Sequence, residues 1–327
     1  MEIRLATRDD VEDIMAFIRD YWKADHILAT DRDFFEWMYV NGDSCSYEIA
    51  KHEGKIYGIL GFIPYSQKDP VDAGSSIWKA IPCEAEPFVG LKINDELHKI
   101  GLRHYIPIGL NRKAGRLAKY NGFSIVPMQQ YYRLSEQDNY QIAVVNDNTN
   151  LDITEHTGIC KRITGIEEFE RIAKDEWLIE QPVYKSRQYL IHRFFKHPIY
   201  RYDCYSICDS CNQLRGLLFG RKVQIGDTAM YKIIDYVGKP KYLCYIGDTM
   251  QTLIQEEHLE YMDLYSYGVT EETMAQAGFR LHKDDKNIIP NYFEPFVQEN
   301  VEIYVQVPDE PIAIFRGDGD MDRPNHR

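Results

Sequence analysis

The residues best suited to chemistry gather between 84 and 92, in the run Glu84-Ala85-Glu86-Pro87-Phe88-Val89-Gly90-Leu91-Lys92. Beyond it, Leu91, Ile93, Leu97 and Ile100 recur at helical spacing. A helix N-terminus offers free backbone N–H groups and the positive end of the helix dipole, so a loop that opens onto one can hold an anion. Gly90 lets a ligand approach the backbone closely. A carboxylate at the end of the preceding strand can act as a general base, and Glu84 and Glu86 both stand there. His26 is a second proton acceptor, with Asp25 beside it. Trp22 and Trp37 flank that segment and would line a pocket; such aromatic residues also fill cores. The plain alternatives are solvated loop acids and an ordinary βαβ crossover.

Two further constellations stand apart. Cys204, Cys208 and Cys211 have the spacing of an iron–sulfur motif, but they fall on a strand and hairpin turn, and a zinc site would lack a fourth ligand. We expect no metal. Asp318, Asp320 and Asp322 alternate as in calcium loops, yet lack the glycine and terminal glutamate of an EF-hand. A solvated acidic tail is the default, and contact with the first domain is the alternative.

The elements that must position these residues follow from patterning. Residues 2–6 form a strand, Thr7 caps a helix, and Val11, Ile14, Met15, Ile18 and Trp22 make its apolar face. Residues 46–50 and 55–62 form a hairpin around Gly54. Residues 76–82 make a fourth strand feeding the loop, 105–110 a buried fifth, and 126–134 another. Residues 135–153 are polar and mark the domain boundary, with 141–145 as one more candidate strand. The second half then echoes the first. Residues 160–164 match 3–7, 205–207 match 47–49, and 277–279 match 121–123, at separations of 157, 158 and 156. Thr164 caps the matching helix, with Glu167 as capping-box partner. Residues 230–234 pair with 77–81 at a separation of 153, implying loops of unequal length. After Ile234 the loop onto a helix is replaced by Pro240 and an apolar run. If one half binds an anionic cofactor, it is therefore the first.

The chain has 327 residues, 44% of them hydrophobic, enough for two domains with real cores. A net charge of −13 argues against broad nucleic-acid binding. No run approaches the length of a membrane span. Seven cysteines behind an N-terminus without an apolar leader are expected to be reduced thiols in the cytoplasm.

This order of elements resembles the GNAT-type N-acyltransferases. The resemblance rests on the strand–loop–helix at 76–100, the loop 86–92 with its single clear glycine, and Gly122-Phe123. It implies an α/β fold of two tandem mixed-sheet domains: residues 1–140 bind acyl-CoA, and residues 141–327 are a degenerate copy with an acidic tail. It implies acetyl-CoA or another acyl-CoA as donor, held by the backbone around Ile81 and Cys83, by the N–H groups of Phe88, Val89, Gly90 and Leu91, and by Lys92. Asn111 would meet the acyl end. Glu84 and His26 become the candidate bases; Trp22, Asp25 and Trp37 line the acceptor cleft. Residues 77–79, 108–111 and 317–325 resemble a subgroup associated with surface-polysaccharide and nucleotide-sugar genes, implying an amino sugar nucleotide as acceptor. A homodimer is compatible with this. One departure stands out: the family's general-acid tyrosine is replaced by Ala118, and by Met274 in the second half. The rival readings are a non-catalytic scaffold and a transferase using aminoacyl-tRNA.

Overall fold

The computed structural model describes residues 1–110, 112–120, 122–283 and 286–324. It divides into two compact units, one of residues 1–108 with 319–327, the other of 109–318. The expected boundary near 140 is thereby moved. Strand formation decides this: Gln129–Leu134, expected in the first domain, hydrogen-bonds along its whole length inside the second sheet.

In the first unit, β1 (Glu2–Thr7) leads into a short 3-10 turn and α1 (Val11–Tyr21). The Asp10 carboxylate accepts from Thr7 N (2.9 Å) and Oγ1 (3.1 Å), closing the expected cap. α2 (Ile27–Thr30) and α3 (Arg32–Tyr39) follow, then β2 (Ser44–His52), β3 (Lys55–Pro64), β4 (Asp72–Ala80), α4 (Val89–Leu97) and a short β5 (His104–Ile106). The sheet runs β1-β2-β3-β4-β5, antiparallel except for the parallel β4–β5 pair. Val89, Ile93 and Leu97 of α4 pack on Ala50, Leu60 and Phe62, which realises the predicted helical stripe.

The second unit holds α5 (Arg112–Tyr120), β6 (Gln129–Leu134), β7 (Ile159–Ile163), α6 (Ile166–Ile172), β8 (Asp203–Cys208), β9 (Leu214–Ile225), β10 (Thr228–Gly238), α7 (Gly247–Glu256), β11 (Leu259–Tyr267), α8 (Glu271–Gln276), β12 (Arg280–Leu281) and β13 (Ile314–Phe315). Its sheet contains β7-β8-β9-β10-β11 in the order and directions of the first sheet, again with only the last pair parallel. β6 and β12 extend it. The register is tighter than the sequence comparison suggested. Leu60 faces Trp78, and Leu218 faces Tyr236, 158 residues further along in both strands. Ile233 is thus the counterpart of Ser75, and the separation of 153 is corrected.

Two local expectations also shift. Thr164 N and Oγ1 both donate to Glu168 Oε2 at 2.7 Å, so the capping partner is Glu168 rather than Glu167; Gly165 at the N-cap moves the helix start by one residue. Residues 141–143 form no strand, because their amides donate to the buried Glu260 carboxylate instead of a ladder.

Candidate functional site

The first sheet forks. β4 and β5 are paired only from Asp72–His104 to Gly74–Ile106. The closed end is pinned by the buried Asp72, which accepts from Arg103 Nε (2.8 Å) and His104 N (3.2 Å). At the open end Ser75 bridges the gap, its Oγ accepting from Ile108 N (2.9 Å). Beyond Ser75, no described strand covers this edge of β4.

The fork coincides with a β-bulge. Leu60 faces Trp78 and Phe62 faces Ser75, so Ser76 and Ile77 together oppose Gly61. Only glycine fits there: a Cβ on Gly61 would lie 2.6 Å from the Tyr47 ring. Past the bulge, Ile81 N donates to Tyr57 O (2.9 Å). Antiparallel pairs alternate, so Ile81 and Lys79 turn their polar groups toward β3, while Trp78 and Ala80 turn theirs to the open edge. That edge runs directly to the N-terminus of α4, where Trp78 Nε1 donates to Gly90 O (3.2 Å).

At the bulge three side chains form a chain of hydrogen bonds. Ser76 Oγ donates to Asp320 Oδ2 (2.9 Å) and lies 2.6 Å from the Tyr39 hydroxyl. Arg323 also donates to Asp320 Oδ2. Burial, and next the charge of Asp320, push the Tyr39 phenol well above its ordinary pKa. Burial does the same for Tyr47. The tail reaches this place through Gly319, whose added Cβ would stand 3.3 Å from Ser75 O.

At the N-terminus of α4, one anion-binding amide is already occupied. Glu86 Oε1 accepts from Phe88 N (3.2 Å) and Glu86 Oε2 from Lys92 Nζ. Lys92 and this amide together lower the Glu86 pKa. Leu91 N is spent on Phe88 O (3.0 Å), whereas the amides of Val89 and Gly90 donate to no described residue.

No family model matches the chain, and comparison with curated proteins returns no match. Solved structures do match. A GCN5-related N-acetyltransferase from Anabaena variabilis aligns at a TM-score of 0.53 with 8% identity, and a conserved protein of unknown function from Enterococcus faecalis, described as a probable N-acyltransferase, at 0.55 with 10%. Each alignment covers 93% of this chain and 72% of the other. The chain has the GCN5-related N-acetyltransferase fold.

Within that fold the sequence-derived site is partly redrawn. Phe88, Val89, Gly90 and Lys92 do gather at the end of α4, with Val89 buried and Phe88 62% exposed. Ile81 and Cys83 give up the roles expected of them. The Ile81 amide is bound to β3, and Cys83 O accepts from Glu86 N (3.2 Å) in the loop turn; Trp78 and Ala80 hold the edge positions instead. Asn111 lies outside the described residues. Glu84 is exposed in the loop. His26 is buried, and its Nδ1 accepts from Leu28 N (3.1 Å), capping α2. It is a structural cap, not an accessible base. Asp25 is exposed and faces Lys23 (3.5 Å) rather than His26. Trp22 is 42% exposed just past α1, and Trp37 packs on Phe34 with ring centroids 5.5 Å apart. Ala118 and Met274 are buried, and Tyr120 is exposed.

The sequence reading missed Tyr39 and Ser76 altogether and left Asp320 in a solvated tail by default. Asp320 is 6% exposed, so that default is overturned. The Gly-Asp alternation was the available signal: glycines beside Asp318 and Asp320 suit a chain passing close to other backbone. Cys204 is buried in a core cluster while Cys211 is exposed, and no group of His, Cys, Asp or Glu among the described residues could hold a metal ion. Among the described residues, no helix is long and apolar enough to cross a membrane.

Proposed function

We propose that this chain is an N-acyltransferase that moves an acetyl or other short acyl group from acyl-CoA to an amine. One observation carries this reading: the forked β4 edge, starting at a bulge and ending at the N-terminus of a helix. A donor's diphosphate would take the free amides of Val89 and Gly90 at the start of α4. Its arm fits the unpaired edge at Trp78 and Ala80, and its carbonyl would meet backbone donors at the bulge, as an oxyanion requires. The Anabaena neighbour, called an N-acetyltransferase, supports the reading through its fold. For the acceptor we propose an amino sugar carried on a nucleotide, on the resemblance of residues 77–79, 108–111 and 317–325.

A second reading is a non-catalytic binding protein. The Glu86 carboxylate favours it, since it sits on the Phe88 amide where a diphosphate would compete, and so does Ala118. Calorimetric titration with acetyl-CoA separates the two. Micromolar binding that Gly90→Trp abolishes supports the transferase, because a side chain at Gly90 starts 3.4 Å from Ala80 Cβ and fills the edge. Absence of binding to acetyl-CoA and to free CoA sinks the transferase reading.

A further inference from the structure

On the reading that the first unit holds acyl-CoA, the bulge should also carry the proton chemistry. A donor with its diphosphate at α4 and its arm along Ala80 and Trp78 points its acyl end back toward Ser76, about 13 Å of strand away. Asp320 stands there. We propose that Asp320 is the base that receives the proton of the attacking amine.

Three observations lead to this. Asp320 Oδ2 is held by Ser76 and Arg323, while Oδ1 takes no hydrogen bond from any described residue. A carboxylate so built has one oxygen anchored and the other available. The direction of the hydrogen-bond chain is also set. A carboxylate only accepts, so Ser76 donates to Asp320, and Ser76 Oγ therefore accepts from the Tyr39 hydroxyl at 2.6 Å. Finally, the glycine spacing of the tail places this carboxylate against the fork: Gly319 runs so close to Ser75 O and Ile108 that a Cβ would come within 3.3 and 3.5 Å of them. Neither the sheet nor the donor edge requires a carboxylate at this point.

In the step itself the N–C bond forms as the C–S bond breaks. The amine's proton passes to Asp320 Oδ1. The sulfur leaves as a thiolate and is protonated from solvent, and Asp320 then returns its proton to water. Ser76 and Tyr39 are positioning residues that hold the carboxylate.

The test uses the full chain, acetyl-CoA, and two nucleophiles: glucosamine, mostly protonated at neutral pH, and hydroxylamine, which is not. Asp320→Asn keeps the shape and removes the base. Its acetyl-CoA binding should stay within about twofold of wild type. Its acylation of glucosamine should fall by about 100-fold or more. Its acylation of hydroxylamine should fall far less. Ser76→Ala should lower the glucosamine rate by a smaller factor, again with little loss for hydroxylamine. Equal losses with both nucleophiles would mark a structural role and overturn the proposal. So would an unchanged glucosamine rate, or a wild type that binds acetyl-CoA yet acylates neither nucleophile. Failure to bind acetyl-CoA at all would instead overturn the transferase reading on which this one rests.

Discussion

Glu48 sits in the middle of β2, only 2% exposed, and its Oε2 has no hydrogen-bond partner among the described residues. Burial, and then the negative charge of Glu96, push its pKa from 4.5 up to about 7. The sign follows directly. The folded pKa lies above the unfolded one, so the protonated carboxyl favours the fold at low pH. That stability is lost as pH rises from about 4.5 through about 7. The loss for this one group is on the order of 3 kcal/mol. Denaturant unfolding of Glu48→Gln should therefore show a flatter pH dependence over this window and a higher midpoint than wild type at pH 8. Parallel curves for the two proteins would show that Glu48 titrates normally.

At the scale of elements, α4 and β4 together make the donor site, and the loop joining them carries its own competitor. The Glu86 carboxylate holds both the Phe88 amide and Lys92, two of the groups a diphosphate would use. Glu86→Gln removes that charge while keeping the loop's shape. Acetyl-CoA should then bind several-fold more tightly by calorimetry, and the gain should shrink at high salt, because the competing interaction is a surface one. Unchanged affinity would place the diphosphate elsewhere. The β4 bulge is the other decisive element: it coincides with the end of the β4–β5 pairing and depends on Gly61 lying beneath Tyr47.

At the scale of the molecule, one strand topology appears twice, and the two forks differ in what lies in them. In the second unit β10 and β11 also part, after Ile233–Leu264, but β13 pairs with Ser266 and Tyr267 of β11. Here the chain's own short strand lies on the β11 arm of the fork. The bulge position holds a buried ion cluster: Lys185 lies 2.5 Å from Asp235 and 2.6 Å from Asp318, all at most 1% exposed. Burial opposes the charge on Lys185, but the two carboxylates outweigh it and hold the ammonium protonated; burial pushes Asp235 up to about 6. Lys185→Met would leave two buried carboxylates facing each other. It should destabilise the chain by about 3–5 kcal/mol in denaturant unfolding. Adding Asp235→Asn should restore part of that loss. A single variant as stable as wild type would show that the cluster holds nothing in place.

What the sequence by itself determined were the features that depend on near neighbours. The stripe Val89, Ile93, Leu97, the Thr7–Asp10 cap and the Gly54 hairpin all follow from local period and turn chemistry. The repeated order of strands was also legible, because residues at matching positions must bury matching faces. The tertiary structure alone decided the rest. Whether Ile81 or Ala80 faces the open edge depends on which amide β3 claims. Whether His26 is a base or a cap depends on where Leu28 N points. Asp320 lies 244 residues from Ser76 in the chain, and no local pattern reports a hydrogen bond across that distance. A buried carboxylate needs partners to hold its charge, and only the folded chain brings them to it.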